Sequence, residues 1–476
     1  MALSMPKILM AASEATPFAK PGGLADVMGA LPPALKARGE DVAVAIPRYR
    51  SVPLEGAQRV FENLRIWLGP ASYTVQVYQS VHREVPYFLI DCPPLYDRDG
   101  LYGDGKEDYQ DNHIRFAVFS KAVLAVARHL YRPRIIHCHD WQAGLVPIYL
   151  KALLWCDPTF AAVKRLFTIH NLGFHGLFKP EVLAQIGLDL SAFRPDGVEF
   201  YGELSLLKGA IWASDALSTV SPSYAREIQT PEYGSGLDGL LRSRAGVLTG
   251  ILNGADYTEW TPEIDPHIAA RYSAADLTGK RLCKQDLLDQ FGLPPEAAAQ
   301  PVIGIISRLT GQKGFDLLES AAAELLAEDF TLVALGTGEA RYEKLLLDLA
   351  AARPDKVAVR IAYDDRLAHK IEAGADMFLM PSRYEPCGLS QIYSLRYGTV
   401  PIVRATGGLA DSVDEETGFK FEEYTAAALL AALRAALAVF AAPERWTALM
   451  RQGMSRDFSW DASAAGYANL YRRLGG

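Results

Sequence analysis

The chain has 476 residues, 50% of them hydrophobic and 22% charged, a composition that excludes an intrinsically disordered protein and a length that favours two large domains over one core. Lys plus Arg total 48 and Asp plus Glu 56, and the resulting net charge of −8 excludes a chain whose main task is to hold nucleic acid or another polyanion. Cys92, Cys138, Cys156, Cys283 and Cys387 are odd in number and scattered, without Cys/His spacing for zinc, which reads as a reduced, cytoplasmic compartment.

In chain order, short Val- and Ile-rich runs alternate with longer stretches of helical period, the pattern of βαβ units feeding a parallel sheet. Strands are expected at 7–12, 41–46, 134–138, 165–169 and 216–220, and again at 302–307, 331–335, 356–361, 377–380 and 400–404. The first run passes straight into Ser13-Glu14, too short for a secretory leader, and reads as a buried strand. Between the two series, 257–301 holds Pro262, Pro266, Pro294 and Pro295 and no strand-like run, which places a boundary near its start. The Ala- and Leu-rich stretch 425–442 carries Arg434 at its centre and falls short of the roughly 20 apolar residues of a membrane span, so it reads as a packed helix and no membrane partner is expected. The fold class is therefore α/β, with two doubly wound Rossmann-like domains facing a central cleft.

Gly22-Gly23-Leu24-Ala25-Asp26 recurs as Gly407-Gly408-Leu409-Ala410-Asp411. Each copy follows an expected strand and opens an apolar-periodic segment, where a Gly-rich turn exposes backbone N–H groups at a helix N-terminus. Two such loops suggest a diphosphate held between the domains; the alternative is two ordinary strand-to-helix turns. Lys20, ahead of the Pro21 turn, is either a compact charge for a phosphate or a solvated lysine.

Ser307-Arg308-Leu309-Thr310-Gly311-Gln312-Lys313-Gly314 sits at the carboxyl edge of the second series' first strand, where open α/β sheets bind ligands. Arg308 and Lys313 can converge there on a diphosphate, and the spacing is not that of a Walker A loop, which disfavours ATP hydrolysis. In Pro381-Ser382-Arg383-Tyr384-Glu385-Pro386-Cys387-Gly388-Leu389, Glu385 is either a carboxylate for sugar hydroxyls and developing charge, or one favoured by a helix dipole.

In the first series, His137-Cys138-His139-Asp140-Trp141 and Thr168-Ile169-His170-Asn171 end successive strands and point polar side chains into one crevice. His137 and His139 share a strand face and, with no third ligand nearby, zinc is disfavoured. Asp140 and His170 are candidates for gripping a polar substrate, against helix capping and a satisfied buried histidine. Tyr96, Tyr102, Tyr109, Trp141, Phe174, Phe178, Tyr201 and Tyr384 fall mainly in expected loops, where aromatics can stack on sugars, and 96–103 reads as a surface loop able to close over the cleft.

Taken together, Lys20-Pro21-Gly22-Gly23-Leu24-Ala25-Asp26-Val27, His139-Asp140-Trp141, His170-Asn171, Asn253-Gly254, Ser307-Arg308-Leu309, Gln312-Lys313-Gly314 and Glu385-Pro386-Cys387-Gly388-Leu389 closely resemble bacterial glycogen synthases and plant starch synthases, retaining glucosyltransferases of GT-B architecture, over essentially the whole chain. The resemblance implies domains at 1–256 on the acceptor side and 257–457 on the nucleotide-sugar side, with a last helix at 458–476 crossing back to the first. It implies ADP-glucose as donor, a glycogen or α-1,4-glucan primer as acceptor, and no metal or other cofactor; it sets no oligomeric state. Lys20 and the backbone of Gly22 and Gly23 would meet the donor phosphates, and Arg308 and Lys313 would neutralise the departing diphosphate. Glu385, Asp140 and His170 would surround the transferred glucose, and Cys387, Gly388 and Leu389 would line its pocket. Tyr363 would stack on the base. Asp26, Tyr96, Asn171, Asn253, Thr406 and Gly407 complete the expected substrate-binding set. Three positions depart from relatives: Pro21 stands where the family usually has Thr, Gly311 where it often has a bulkier residue, and Tyr393 where related transferases carry a second glutamate.

Overall fold

The computed structural model describes residues 6–20, 22–105 and 107–475, so Pro21 lies outside the described residues. Contacts gather these residues into two units, each with its own parallel sheet. Unit 1 holds the chain up to Val220, Ala225–Gly254 and the terminal helix Trp460–Gly475; unit 2 holds Ser221–Tyr224 and Ala255–Ser459.

Unit 1 begins with β1 (Lys7–Ala11), β2 (Asp41–Pro47), β3 (Gln58–Leu68), β4 (Ala71–His82), β5 (Val85–Asp91), β6 (Ile135–His139) and β7 (Lys164–Ile169). Three short strands, β8 (Leu177–Phe178), β9 (Glu199–Phe200) and β10 (Glu203–Ser205), form a small antiparallel sheet, and β11 (Ala216–Thr219) and β12 (Leu248–Gly250) rejoin the main one. The main sheet runs β12-β11-β7-β6-β1-β2-β5-β4-β3, parallel from β12 to β5, with β4 and β3 added antiparallel. That antiparallel extension is absent from the expected pattern. β3 mixes Gln58, Arg59 and Glu62 into its length and breaks register between Arg59 and Leu64, so it lacks the Val/Ile signature of a buried strand. β5 is almost wholly buried, yet Pro86 sits in it, a residue that argues against a strand interior.

Unit 2 has β13 (Val302–Ile306), β14 (Thr331–Gly336), β15 (Val357–Ile361), β16 (Met377–Met380), β17 (Val400–Arg404) and β18 (Phe419–Phe421) in the all-parallel order β15-β14-β13-β16-β17-β18. Along β14, Leu332 and Ala334 join one apolar cluster while Val333 and Leu335 join another, because alternate side chains leave opposite faces of a sheet covered on both sides. The helix Ala426–Phe440 packs Leu429, Leu433 and Ala436 into the first cluster. Among the described residues, no single helix is long and apolar enough to cross a membrane.

Both sheets reverse strand order beside their first strand, between β1 and β6 in unit 1 and between β13 and β16 in unit 2. At such a switch point the two following loops diverge to opposite faces and leave a crevice at the carboxyl ends of the strands.

Candidate active site

In unit 2 the loops after β13 and β16 are stitched together. Arg383 N donates to Gln312 O at 2.8 Å, Gln312 Nε2 reaches Tyr384 O at 3.4 Å, and Lys313 Nζ lies 2.5 Å from Glu385 Oε2. Glu385 is 5% exposed and also accepts from Ser382 Oγ at 3.1 Å. Gly314, at φ +82°, lets the first loop close on the second, since a Cβ there would lie 2.1 Å from Pro381 O. Gln391, fully buried, donates to the carbonyls of Cys387 and Gly388 at 3.2 and 3.1 Å and fixes the far end of the Glu385 loop. Cys387 is buried, and Gly388 and Leu389 are half-buried.

Arg308 is exposed and makes no ion pair among the described residues. Its loop is stapled to the end of β14: Leu309 N donates to Thr337 O at 3.0 Å and Glu339 N to Leu309 O at 2.8 Å. Gly336 and Gly338 permit this, because a Cβ on either would fall 1.9 Å from Ser307 O or 2.3 Å from Leu309 O. A Cβ at Gly311 would meet only the Tyr342 hydroxyl, at 3.3 Å, so the departure at Gly311 leaves the loop's path open to other residues. Tyr363, just beyond β15, is 83% exposed, with its ring free to take a planar partner.

The two copies of the repeated five residues do different work. In the second, Gly407 and Gly408 are buried against the Glu385 loop, and Cβ atoms there would lie 1.9 Å from Glu385 O and 2.0 Å from Cys387 O. Thr406, 1% exposed, precedes them, and Asp411 accepts from Ser223 N and Oγ at 2.7 Å each. In the first, Gly22 and Gly23 are exposed, a Cβ on Gly23 would meet nothing within 4 Å, and Asp26 pairs with Lys20 at 3.6 Å. In the first copy the Gly22 backbone hydrogen-bonds the Glu14 carboxylate, and Gly23 opens its helix, Gly23–Ala37, with no neighbour crowding it.

In unit 1 the switch-point loops carry acids. Asp140 follows β6 with φ +55°, a strained conformation for a residue with a side chain, and its Oδ1 accepts from His170 N at 2.8 Å. His170 Nε2 lies 2.9 Å from His139 Nδ1, and burial pushes its basicity down to about 3, so it is a neutral hydrogen-bonding group. Burial, with the like charge of Glu14 adding to it, raises the Asp140 carboxyl to about 7 against hydrogen bonds from His170 and Asn171 that favour its ionised form. Glu14, in the loop after β1, is 6% exposed and is itself raised to about 7 by burial, although Tyr102 Oη donates to its Oε1 at 2.9 Å. Asn171 caps its own turn through Gly173 N at 2.9 Å. Asn253 is 6% exposed, and its buried Oδ1 has no hydrogen-bond partner among the described residues.

One expectation is corrected. Tyr96 is not a loop aromatic in reach of substrate: it ends the short helix Pro93–Tyr96, is 0% exposed, and donates its hydroxyl to Arg115 O at 2.8 Å. The segment after it is an irregular surface stretch, as expected, tied down by Arg50 to Asp97 at 2.6 Å, Arg98 to Asp111 at 2.6 Å and Tyr102 to Glu14. Tyr471 Oη at 2.8 Å and Thr168 Oγ1 at 2.6 Å occupy both nitrogens of His137, which is fully buried. Composition and spacing do not single out Glu14, which lies beside Asp140, nor Gln391 and Gly336-Thr337-Gly338, which hold the loops that carry Glu385 and Arg308. Ser13-Glu14 immediately after the first strand was the available signal for Glu14.

A family model described as the starch synthase catalytic domain matches residues 7–243, and one described as glycosyl transferases group 1 matches residues 292–448. Glycogen synthases of Koribacter versatilis and Anaeromyxobacter dehalogenans are 48% and 49% identical over 474 and 480 aligned residues, covering 98% of this chain and 98% and 99% of theirs. The catalytic domain of starch synthase IV from Arabidopsis thaliana, solved bound to ADP and acarbose, is similar with a TM-score of 0.90 and 32% identity over 99% of this chain and 100% of that one. Sucrose-phosphate synthase from Thermosynechococcus elongatus, at 20% identity and a TM-score of 0.60 over 98% of this chain and 99% of that one, shares the fold.

Proposed function

Since the chain belongs to the glycogen and starch synthase family of glycosyltransferases, we propose that it transfers glucose from ADP-glucose to the non-reducing 4-hydroxyl of an α-1,4-glucan such as glycogen, with retention at the anomeric carbon. The observation that carries this reading is the Lys313–Glu385 pair at the switch point of unit 2, with Arg308 exposed beside the same loop. A nucleotide diphosphate leaving group gains negative charge as the glycosidic bond breaks, and cationic groups already in place stabilise it without reorganising. Lys313 has three N–H donors, enough to keep Glu385 and take a phosphate oxygen at once.

In this proposal Arg308 and Lys313 hold the diphosphate, with Lys20 and the N–H groups of Gly22 and Gly23 on its other oxygens. Glu385, Asp140 and His170 grip the glucose; Cys387, Gly388, Leu389, Thr406 and Gly407 shape its pocket; Tyr363 takes the adenine; and Asp26, Asn171 and Asn253 order the surrounding loops. No nucleophile is assigned, and the leaving phosphate accepts the proton of the incoming hydroxyl. The enzyme acts in the cytoplasm and uses no cofactor beyond the donor. The test is incorporation of labelled glucose into glycogen from ADP-glucose and UDP-glucose side by side, with and without a chelator. Chelator-resistant incorporation from ADP-glucose is expected, and absence of incorporation from either donor contradicts the proposal.

A further inference from the structure

We propose that Glu259, Asp365 and His369 form a divalent-cation site in unit 2, formed by residues other than those assigned to the diphosphate and suited to a borderline metal such as Zn²⁺. Asp365 and His369 stand four residues apart on the helix Asp365–Gly374 and so share one face, while Glu259 comes from the segment ahead of Trp260. One ligand atom from each lies within 4.8 Å of the others, the only such group of His, Cys, Asp and Glu among the described residues.

The histidine is what distinguishes this group from a chance meeting of acids. His369 is 0% exposed, and its Nδ1 lies 2.7 Å from Asp265 Oδ2, which also accepts from Tyr397 Oη at 2.5 Å. A carboxylate can only accept, so Nδ1 carries the proton and Nε2 carries the lone pair. That Nε2 is buried and has no hydrogen-bond partner among the described residues, a costly state for an acceptor unless something else fills it. The ring cannot turn to find a partner. Trp260 stacks on it at 3.7 Å and 13°, and Tyr393 stacks on Trp260 at 4.3 Å and 12°.

A carboxylate on the far nitrogen of an imidazole is the outer-shell arrangement that fixes the tautomer of a metal-bound histidine and raises its basicity. Glu259 and Asp365 are exposed, and neither makes a salt bridge to a Lys or Arg among the described residues, so two negative charges stand beside the free lone pair uncompensated. One imidazole and two carboxylates with water completing the shell suit Zn²⁺, whereas Mg²⁺ prefers oxygen ligands alone. The ion would then tie the segment ahead of Trp260 to the start of the helix that follows Tyr363.

The test is calorimetric titration of the metal-stripped full chain with Zn²⁺ alone, in wild type, Glu259→Gln and Asp365→Asn, with melting curves to show that each variant is folded. Both substitutions are at exposed positions, so folding should survive even where His369→Ala fails to fold. One saturable site in wild type, weakened tenfold or more in each variant, is expected. No saturable binding in wild type overturns the proposal, and so does binding undiminished in both variants, which would place the ion elsewhere.

Discussion

Lys313 Nζ lies 2.5 Å from Glu385 Oε2, and the two residues enter from the loops after β13 and β16, on either side of the point where the strand order of unit 2 reverses. Four residues make that meeting possible. Gly314 and Gly407 let backbone approach backbone, and Gln312 and Gln391 hold the loops in place. In the proposed transfer, a cation and an anion so placed would serve a donor whose leaving group departs as an anion and whose anomeric carbon gains positive charge.

Replacing either cation should slow transfer by about a hundredfold, the cost of losing one contact on developing charge. The two variants should differ in stability. Arg308 is exposed, so Arg308→Ala should melt with wild type, within about 0.5 kcal/mol, whereas Lys313→Ala strips the partner from a buried carboxylate and should melt lower. Steady-state kinetics and melting curves on both variants check this, and wild-type turnover in either removes it from the diphosphate.

The repeated glycines should respond oppositely. Gly407→Ala puts a Cβ 1.9 Å from Glu385 O at φ +45° and should cost on the order of 3 kcal/mol of stability. Gly23→Ala meets open space and should leave stability unchanged or slightly higher, while raising KM for the donor if phosphate approaches that backbone. Denaturant melts and donor KM values for the two variants decide it; equal stability losses would contradict the separate roles.

Much of this was legible beforehand, for identifiable reasons. Strands that are buried on both faces announce themselves as short apolar runs, so most of the parallel strands of both units, though not β5, β12 or β18, and the loops that follow β13 and β16 could be placed from residues alone. β3 and β4 could not, because half-exposed antiparallel strands carry mixed residues and a bulge hides their alternation. Tyr96 was misplaced since a four-residue helix has no periodicity to read, and its burial depends on Arg115 and Tyr49 from elsewhere in the chain. The repeated glycines were visible as letters, but which copy packs and which stays exposed depends on neighbours distant in sequence. For Glu14, nothing in the residue type indicates that Tyr102 closes over it.

Glu14 should make stability fall with rising pH. Its carboxyl is raised from 4.5 to about 7 by burial, so the folded chain holds a proton there that the unfolded chain releases. The contribution is complete below about pH 4.5 and is lost as the pH climbs through about 7. Asp140, raised from 3.8 to about 7, acts in the same direction and is raised in part by Glu14. Glu14→Gln should therefore gain melting temperature relative to wild type as the pH goes from 5 to 8, and the pH–rate limb that reports Asp140 should move to lower pH. Melting curves and pH–rate profiles of the two proteins check both, and parallel melting profiles with an unmoved limb would contradict the raised pair.

The most direct test of the account is the rate of glucose transfer from ADP-glucose to glycogen by Glu385→Gln, read beside its melting temperature. Glutamine keeps the shape and the reach to Lys313 and Ser382 but removes the charge. Transfer should fall by about two orders of magnitude or more while the melting temperature drops by only about 2 to 4 °C per kcal/mol of lost pairing. A Glu385→Gln enzyme that melts much lower yet transfers glucose at the wild-type rate would contradict the account and leave Glu385 as an anchor for its loop.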